Sequence, residues 1–277
     1  MSTLADVADL MSSPATCVVI DCRFVLGAPD AGRANYLEAH IPGAVYADLE
    51  RDLSGPPTTD RGRHPLPPVA RLCRVFGAMG IDAETPVVAY DDQGGMVAAR
   101  LWWMLRYLGH PAVRVLDGGW QAWVAAGGAV ASGWQANPGR QLVASVRGDR
   151  LVTINDVDAA AVLVDARAPA RFRGDSEPLD PYPGHIPRAR NHYWQDNLGA
   201  DGRFLDPQAI GRQLVASLAI LPDAASVHYC GSGVSACVNV LAQVHAGLPE
   251  PRLYCGSWSE WCLDNRRPRA LGGDSAR

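Results

Sequence analysis

The residues best suited to chemistry lie together in "HYCGSGVSAC", His228–Cys237. A predicted strand over Ser226–Tyr229 ends at Cys230, a Gly-Ser-Gly turn follows, and a helical pattern occupies Val234–Gly247. Glycine tolerates positive φ, so Gly231 and Gly233 let the loop turn its N–H groups inward, and the next helix aims its N-terminus at the same point. A cysteine there is expected to have a lowered pKa and to be largely thiolate near neutral pH. The backbone of Gly231, Gly233, Val234 and Ser235 is then a candidate cradle for an added sulfur or a developing negative charge. The same residues also fit a bland alternative, a buried apolar cysteine before a tight turn.

The elements that must position this loop occur twice, with a period of about 140 residues. "VVIDCR" (Val18–Arg23) returns as "VLVDAR" (Val162–Arg167), and "AHIPGA" (Ala39–Ala44) as "GHIPRA" (Gly184–Ala189). "VVAYDDQGGMVAA" (Val87–Ala99) aligns with "SVHYCGSGVSA" (Ser226–Ala236), which puts Asp91 where the second copy has Cys230. "VRVLDGGWQAW" (Val113–Trp123) returns as "PRLYCGSWSEW" (Pro251–Trp261). Each copy alternates short β-branched runs with helical patterns, including helices near Val69–Met79 and Met96–Leu108. Such alternation predicts an α/β fold, a parallel sheet in each copy with helices on both faces. Functional residues of these sheets gather beyond the carboxyl ends of the strands, where Cys230 and Asp91 both fall. The expected division is 1–130, a Gly- and Pro-containing linker at 131–149, and 150–277.

Composition excludes several function classes. The 277 residues carry a net charge of -4, which offers no general attraction to nucleic acid or anionic lipid. The N-terminus lacks a basic region followed by a long apolar core, and Arg100 and Arg106 interrupt the apolar stretch "MVAARLWWMLRYLG", so neither a signal peptide nor a membrane span is expected. Seven cysteines without C-x-x-C spacing argue against a disulfide framework and a zinc site, and for a reducing, cytoplasmic protein. No lysine occurs, so any fixed cation at a site is a guanidinium, suited to planar oxyanions.

The two copies resemble tandem rhodanese domains, and "CGSGVSA" (Cys230–Ala236) is similar to the active loop of 3-mercaptopyruvate sulfurtransferases. The resemblance covers nearly the whole chain and includes "RFRG" (Arg171–Gly174), "RLWWMLRYLGH" (Arg100–His110) and "GSWSEW" (Gly256–Trp261). It implies an inactive first domain, marked by Asp91, and a catalytic second one. It also implies a two-step transfer without a cofactor or metal, in which Cys230 takes sulfur from a small-molecule donor as a persulfide and yields it to an acceptor. Acceptors of this class are cyanide, a small thiol or a thiol protein such as thioredoxin. The resemblance places Ser232, His64 of "DRGRHPLP" and Glu50 of "YADLE" in a proton relay, with Glu50 standing where aspartate is more usual. Alone, His64 reads as a solvated loop histidine. Arg171 matches one of the family's two carboxylate-binding arginines. The other falls in the shortened loop "DSEPLDPYPGH" (Asp175–His185), where Leu179 stands, so Arg188 or Arg190 becomes a candidate substitute.

Donor preference is expected to follow loop charge. Thiosulfate sulfurtransferases resemble CRKGVTA, whereas Gly231 and Ser232 are neutral, which favours a monoanionic α-keto thiol. A thiosulfate-preferring enzyme is the alternative, and a non-catalytic persulfide or redox sensor or binding module is another. A cysteine phosphatase or arsenate reductase would need an arginine shortly after the cysteine, and residues 231–237 contain none. Cys237 and Cys255 read as packed structural residues, and His40 and His185, present in both copies, as turn-stabilising ones.

Overall fold

The computed structural model describes residues 2–13, 17–58, 60–218 and 225–273. The chain divides into two compact units. The first comprises Met1–Gly55, Pro67–Arg147 and Ala200–Phe204, the second Pro56–Leu66, Gly148–Gly199 and Leu205–Arg277.

In the first unit the elements run β1 (Leu4–Ala5), α1 (Val7–Ser12), β2 (Val18–Asp21), α2 (Ala31–Glu38) and β3 (Val45–Tyr46). Then follow α3 (Val69–Ala78), β4 (Val87–Tyr90), α4 (Met96–Tyr107), β5 (Val113–Leu116) and α5 (Gly119–Ala125). The strands form a five-stranded sheet in the order β1-β5-β4-β2-β3, with every pairing parallel. Helices flank the sheet, so β4 is buried at every residue and reads as the unbroken apolar run "VVAY". Helix α3 buries one stripe, Leu72, Phe76 and Gly77, as an amphipathic helix on a sheet should. Helix α4 is buried almost all round, and its enclosed Arg100 satisfies itself by donating from Nε (3.1 Å) and Nη2 (3.0 Å) to the Leu53 carbonyl.

The second unit repeats the plan with β6 (Leu151–Val152), β7 (Val162–Asp165), α6 (Pro169–Arg173), β8 (Arg190–Asn191) and α7 (Pro207–Leu218). It ends in β9 (Ser226–Tyr229), α8 (Ala236–His245), β10 (Arg252–Tyr254) and α9 (Ser257–Trp261). Its parallel sheet has the corresponding order, β6-β10-β9-β7-β8. The repeated sequence motifs build repeated interiors. Arg23 Nη2 lies 2.7 Å from Asp21 Oδ2 with its guanidinium over Trp120, and Arg167 makes the same 2.7 Å pair with Asp165 over Trp258. His40 and His185 are fully buried, each with Nδ1 on a backbone carbonyl, Tyr36 at 2.7 Å and Phe172 at 2.8 Å. Their expected turn-stabilising role is what the packing shows.

Two boundaries differ from the sequence reading. The stretch expected as a linker packs on the first unit: Ala131 bridges His40, and the Arg140 and Ser145 N–H groups donate to the Gly77 and Leu108 carbonyls, each at 2.8 Å. Residues 56–66 belong by packing to the second unit, although they precede α3. No helix among the described residues is long and apolar enough to cross a membrane.

Candidate active site

Cys230 follows the buried strand β9 at its carboxyl end, and its backbone is pinned on both sides. Its N–H donates to Ser257 Oγ (3.1 Å), its carbonyl accepts from the Trp258 N–H (3.0 Å), and the Gly231 carbonyl accepts from the Ser259 N–H (2.9 Å). Gly233 adopts φ +76° with its Cα facing the Cys255 carbonyl, so a side chain there would meet both a forbidden backbone and a wall. This conformation directs the Gly233 N–H onto Cys230 Sγ at 3.2 Å. Burial alone would push the thiol up. The Ser235 hydroxyl and the N–H groups of Ala236, Ser232 and Gly233 outweigh it, and hold Cys230 below the ordinary thiol value. Val234 is buried beside them, and helix α8 begins at Ala236, two residues later than its sequence pattern suggested. Cys237 is buried with Sγ directed at the Gly233 carbonyl (3.5 Å), and Cys255 is buried as well, so both read as structural.

The segment Pro56–Leu66 supplies two side chains to this unit's loop. His64 Nδ1 lies 2.7 Å from Ser232 Oγ, and the ring is only 7% exposed. The neighbouring Arg63 is anchored by its own N–H on Ser259 Oγ (3.1 Å). A β-carbon at Gly231 would fall 2.9 Å from Arg63 Nη2 and 3.3 Å from Arg171 Nη1. The missing side chain of Gly231 is thus what admits two guanidiniums beside the loop. Arg171 is held by Glu177, with Nη2–Oε1 at 2.6 Å and Nε–Oε2 at 3.2 Å, and by Asp180 Oδ2 at 3.1 Å. Asp180 Oδ1 accepts from Arg63 Nη1.

Arg188 is exposed, sits at φ +67°, and donates from Nη2 to the Asp158 carbonyl at 2.7 Å. It precedes β8, whereas Cys230 follows the parallel β9, so the strand direction sets Arg188 at the opposite end of the sheet. Arg190 is the first residue of β8. Leu179 is 41% exposed and contributes only its N–H, to Glu177 Oε1 at 3.1 Å. Glu50 belongs to the first unit, where its N–H donates to the buried Asp48 at 2.9 Å. Arg63, Glu177 and Asp180 were not singled out from the sequence. The signal for Arg63 was its adjacency to His64 in "RGRH", and for the acids their presence in the shortened loop after "RFRG".

The first unit holds the matching loop in another state. The carboxylate of Asp91 accepts from the N–H groups of Gln93 and Gly95 (both 2.9 Å), Val97 (2.8 Å) and Ala98 (2.9 Å). Burial pushes this carboxyl above its ordinary value, and the four donors offset only part of that rise. The inward-facing N–H cradle survives there, filled by the chain's own anion.

A rhodanese-like domain model matches residues 3–126 and again residues 152–264. The probable 3-mercaptopyruvate sulfurtransferase of Pseudomonas aeruginosa is 46% identical, over 98% of this chain and 97% of that protein. The putative thiosulfate sulfurtransferase of Mycobacterium tuberculosis is 41% identical, over 98% and 96%. The solved 3-mercaptopyruvate sulfurtransferase of Leishmania major superposes with a TM-score of 0.86 at 34% identity, covering 96% of this chain and 75% of that one. Paired parallel sheets, a cysteine loop in one and an acid-filled loop in the other, and relatives matched over almost the full length lead to one assignment: the chain belongs to the rhodanese family, as a two-domain member of the sulfurtransferase class.

Proposed function

We propose that the chain moves sulfur from 3-mercaptopyruvate to a thiol or cyanide acceptor through a persulfide on Cys230. The observation that carries this reading is the cluster of donors on Cys230 Sγ, which lowers the thiol's pKa despite complete burial. The thiolate attacks the donor's sulfur, a new S–S bond forms, and the donor's C–S bond breaks with its electron pair left on carbon as an enolate. A proton supplied through Ser232 and His64 turns the enolate into pyruvate. The acceptor then attacks the outer sulfur, carries it away and returns Cys230 to a thiolate. The N–H groups over Gly231–Ser235 suit a persulfide, a larger and softer anion that several modest donors stabilise better than one strong one.

The charges nearby favour this donor over thiosulfate. Arg63 and Arg171 are matched by Asp180 and Glu177, so the vicinity of Gly231 carries little net positive charge for a dianion. Seven free thiols fit a reducing, cytoplasmic setting, in which a small thiol or a thioredoxin-like protein is the natural acceptor.

Intact mass after brief exposure to 3-mercaptopyruvate, and separately to thiosulfate, tests the reading. A gain of about 32 Da on the native protein and none on Cys230→Ser is expected, faster from mercaptopyruvate. No gain from either donor would overturn the catalytic reading, and faster loading from thiosulfate would reverse the donor preference.

A further inference from the structure

Two guanidiniums beside the Cys230 loop share one carboxylate of the chain. Asp180 places Oδ2 3.1 Å from Arg171 Nη2 and Oδ1 on Arg63 Nη1, and its side chain is 2% exposed while those of the arginines are 29% (Arg63) and 18% (Arg171). Glu177 is a different kind of acid. It binds Arg171, Arg167 (3.1 Å) and the N–H groups of Leu179 and Asp180 (both 3.1 Å), so it is a fixed strut of its turn. The carboxylate of Asp180 rests on the two arginines. It spans them as a small carboxylic acid would, with the guanidiniums meeting at Gly231, the residue after the nucleophile.

We infer that Asp180 is an internal stand-in for the donor's carboxylate, bridging Arg63 and Arg171 until a donor exchanges with it, and that Arg63 is the second cation the donor engages. The inference rests on the α-keto acid donor proposed above. It also explains how the site works with Leu179 in the loop: the second guanidinium comes from the segment that brings His64. The exchange conserves charge, since one carboxylate leaves as one arrives. A monoanionic donor restores the balance and a dianion exceeds it, so Asp180 sets donor selectivity as well as access. A merely structural Asp180 would position Arg171, and its loss would weaken anion binding. A competing Asp180 predicts the opposite sign.

Alkylation of Cys230 reads that sign without sulfur transfer. Iodoacetate carries a carboxylate and iodoacetamide does not, so the ratio of their rates at Cys230, followed by peptide mapping, reports anion capture beside the thiolate. In Asp180→Asn, which keeps the side chain's size and loses its charge, the ratio is expected to rise roughly threefold to tenfold. In Arg63→Gln it is expected to fall by a similar factor. Thermal melts confirm that each variant is folded, and Asp180→Ser replaces the asparagine if that variant is not. An unchanged or lower ratio without the Asp180 charge, or an unchanged ratio in Arg63→Gln, overturns the inference. Because the probes need no donor, a failure of mercaptopyruvate to load Cys230 would sink the donor reading and leave this result to be read on its own.

Discussion

His64 Nδ1 and Ser232 Oγ lie 2.7 Å apart, joining a side chain that comes from before α3 to the centre of the Cys-Gly-Ser-Gly loop after β9. Both residues are less than a tenth exposed, so the hydrogen bond is shielded from water that would otherwise compete for it. If the pair delivers the proton that completes donor cleavage, Ser232→Ala and His64→Asn should each lower single-turnover persulfide formation by roughly 10- to 100-fold. The double variant should lose little more than either single one, because the two act as a unit. Full additivity would show that they serve separate ends.

Burial pushes the Cys230 thiol up, yet the donors around it, Ser235 first among them, hold it below the ordinary thiol value. Since the folded pKa is the lower one, reactivity is retained between it and the ordinary thiol value and lost as pH falls through it. The same shift contributes stability that is fully present above the unfolded thiol's pKa and disappears on that descent. The pH profile of Cys230 alkylation by iodoacetamide should therefore have its midpoint below that of an ordinary cysteine. Ser235→Ala should move the midpoint upward. A midpoint that stays put would assign the lowering to the backbone donors alone.

Asp91 offers a stability test in the other unit. Replacing it by alanine leaves the N–H groups of Gln93, Gly95, Val97 and Ala98 without their acceptor. The expected loss is roughly 3–5 kcal/mol, measured by urea unfolding. Asp91→Asn, which keeps one acceptor oxygen, should lose less. Persulfide loading at Cys230 in the folded fraction should be unaffected by either change.

The middle strand of the first sheet was legible because burial on both faces writes it as the continuous apolar run "VVAY", whereas "SVHY" is equally buried but carries Ser226 and His228, which hydrogen-bond to Gln243. The two-residue strands β1, β3, β6 and β8 carry too few residues to leave a pattern. Cys230 was legible from its local turn chemistry, and His64 and Ser232 through the resemblance to a known loop. The Arg63–Asp180–Arg171 bridge was not, because its members are 117 and 9 residues apart and only packing brings them together. Arg188 misled for a related reason. It occupies the left-handed turn position that Gly43 holds in the first copy, φ +67° against +79°, and that geometry commits its side chain to Asp158.

The placement of residues 56–66 bears on whether the duplication can still be taken apart. A chain begun at residue 150 would keep Cys230, its loop and Arg171, yet it would lack Arg63 and His64, which the first copy's stretch of sequence lends to the second unit. The debt runs both ways: residues 200–204 belong to the first unit, where the Phe204 N–H donates to Asp117 at 2.8 Å. Two modules that began as copies have each given a segment to the other. Neither is now a transplantable part, and a recombination event that swapped one copy between paralogues would have to carry the loaned segment with it.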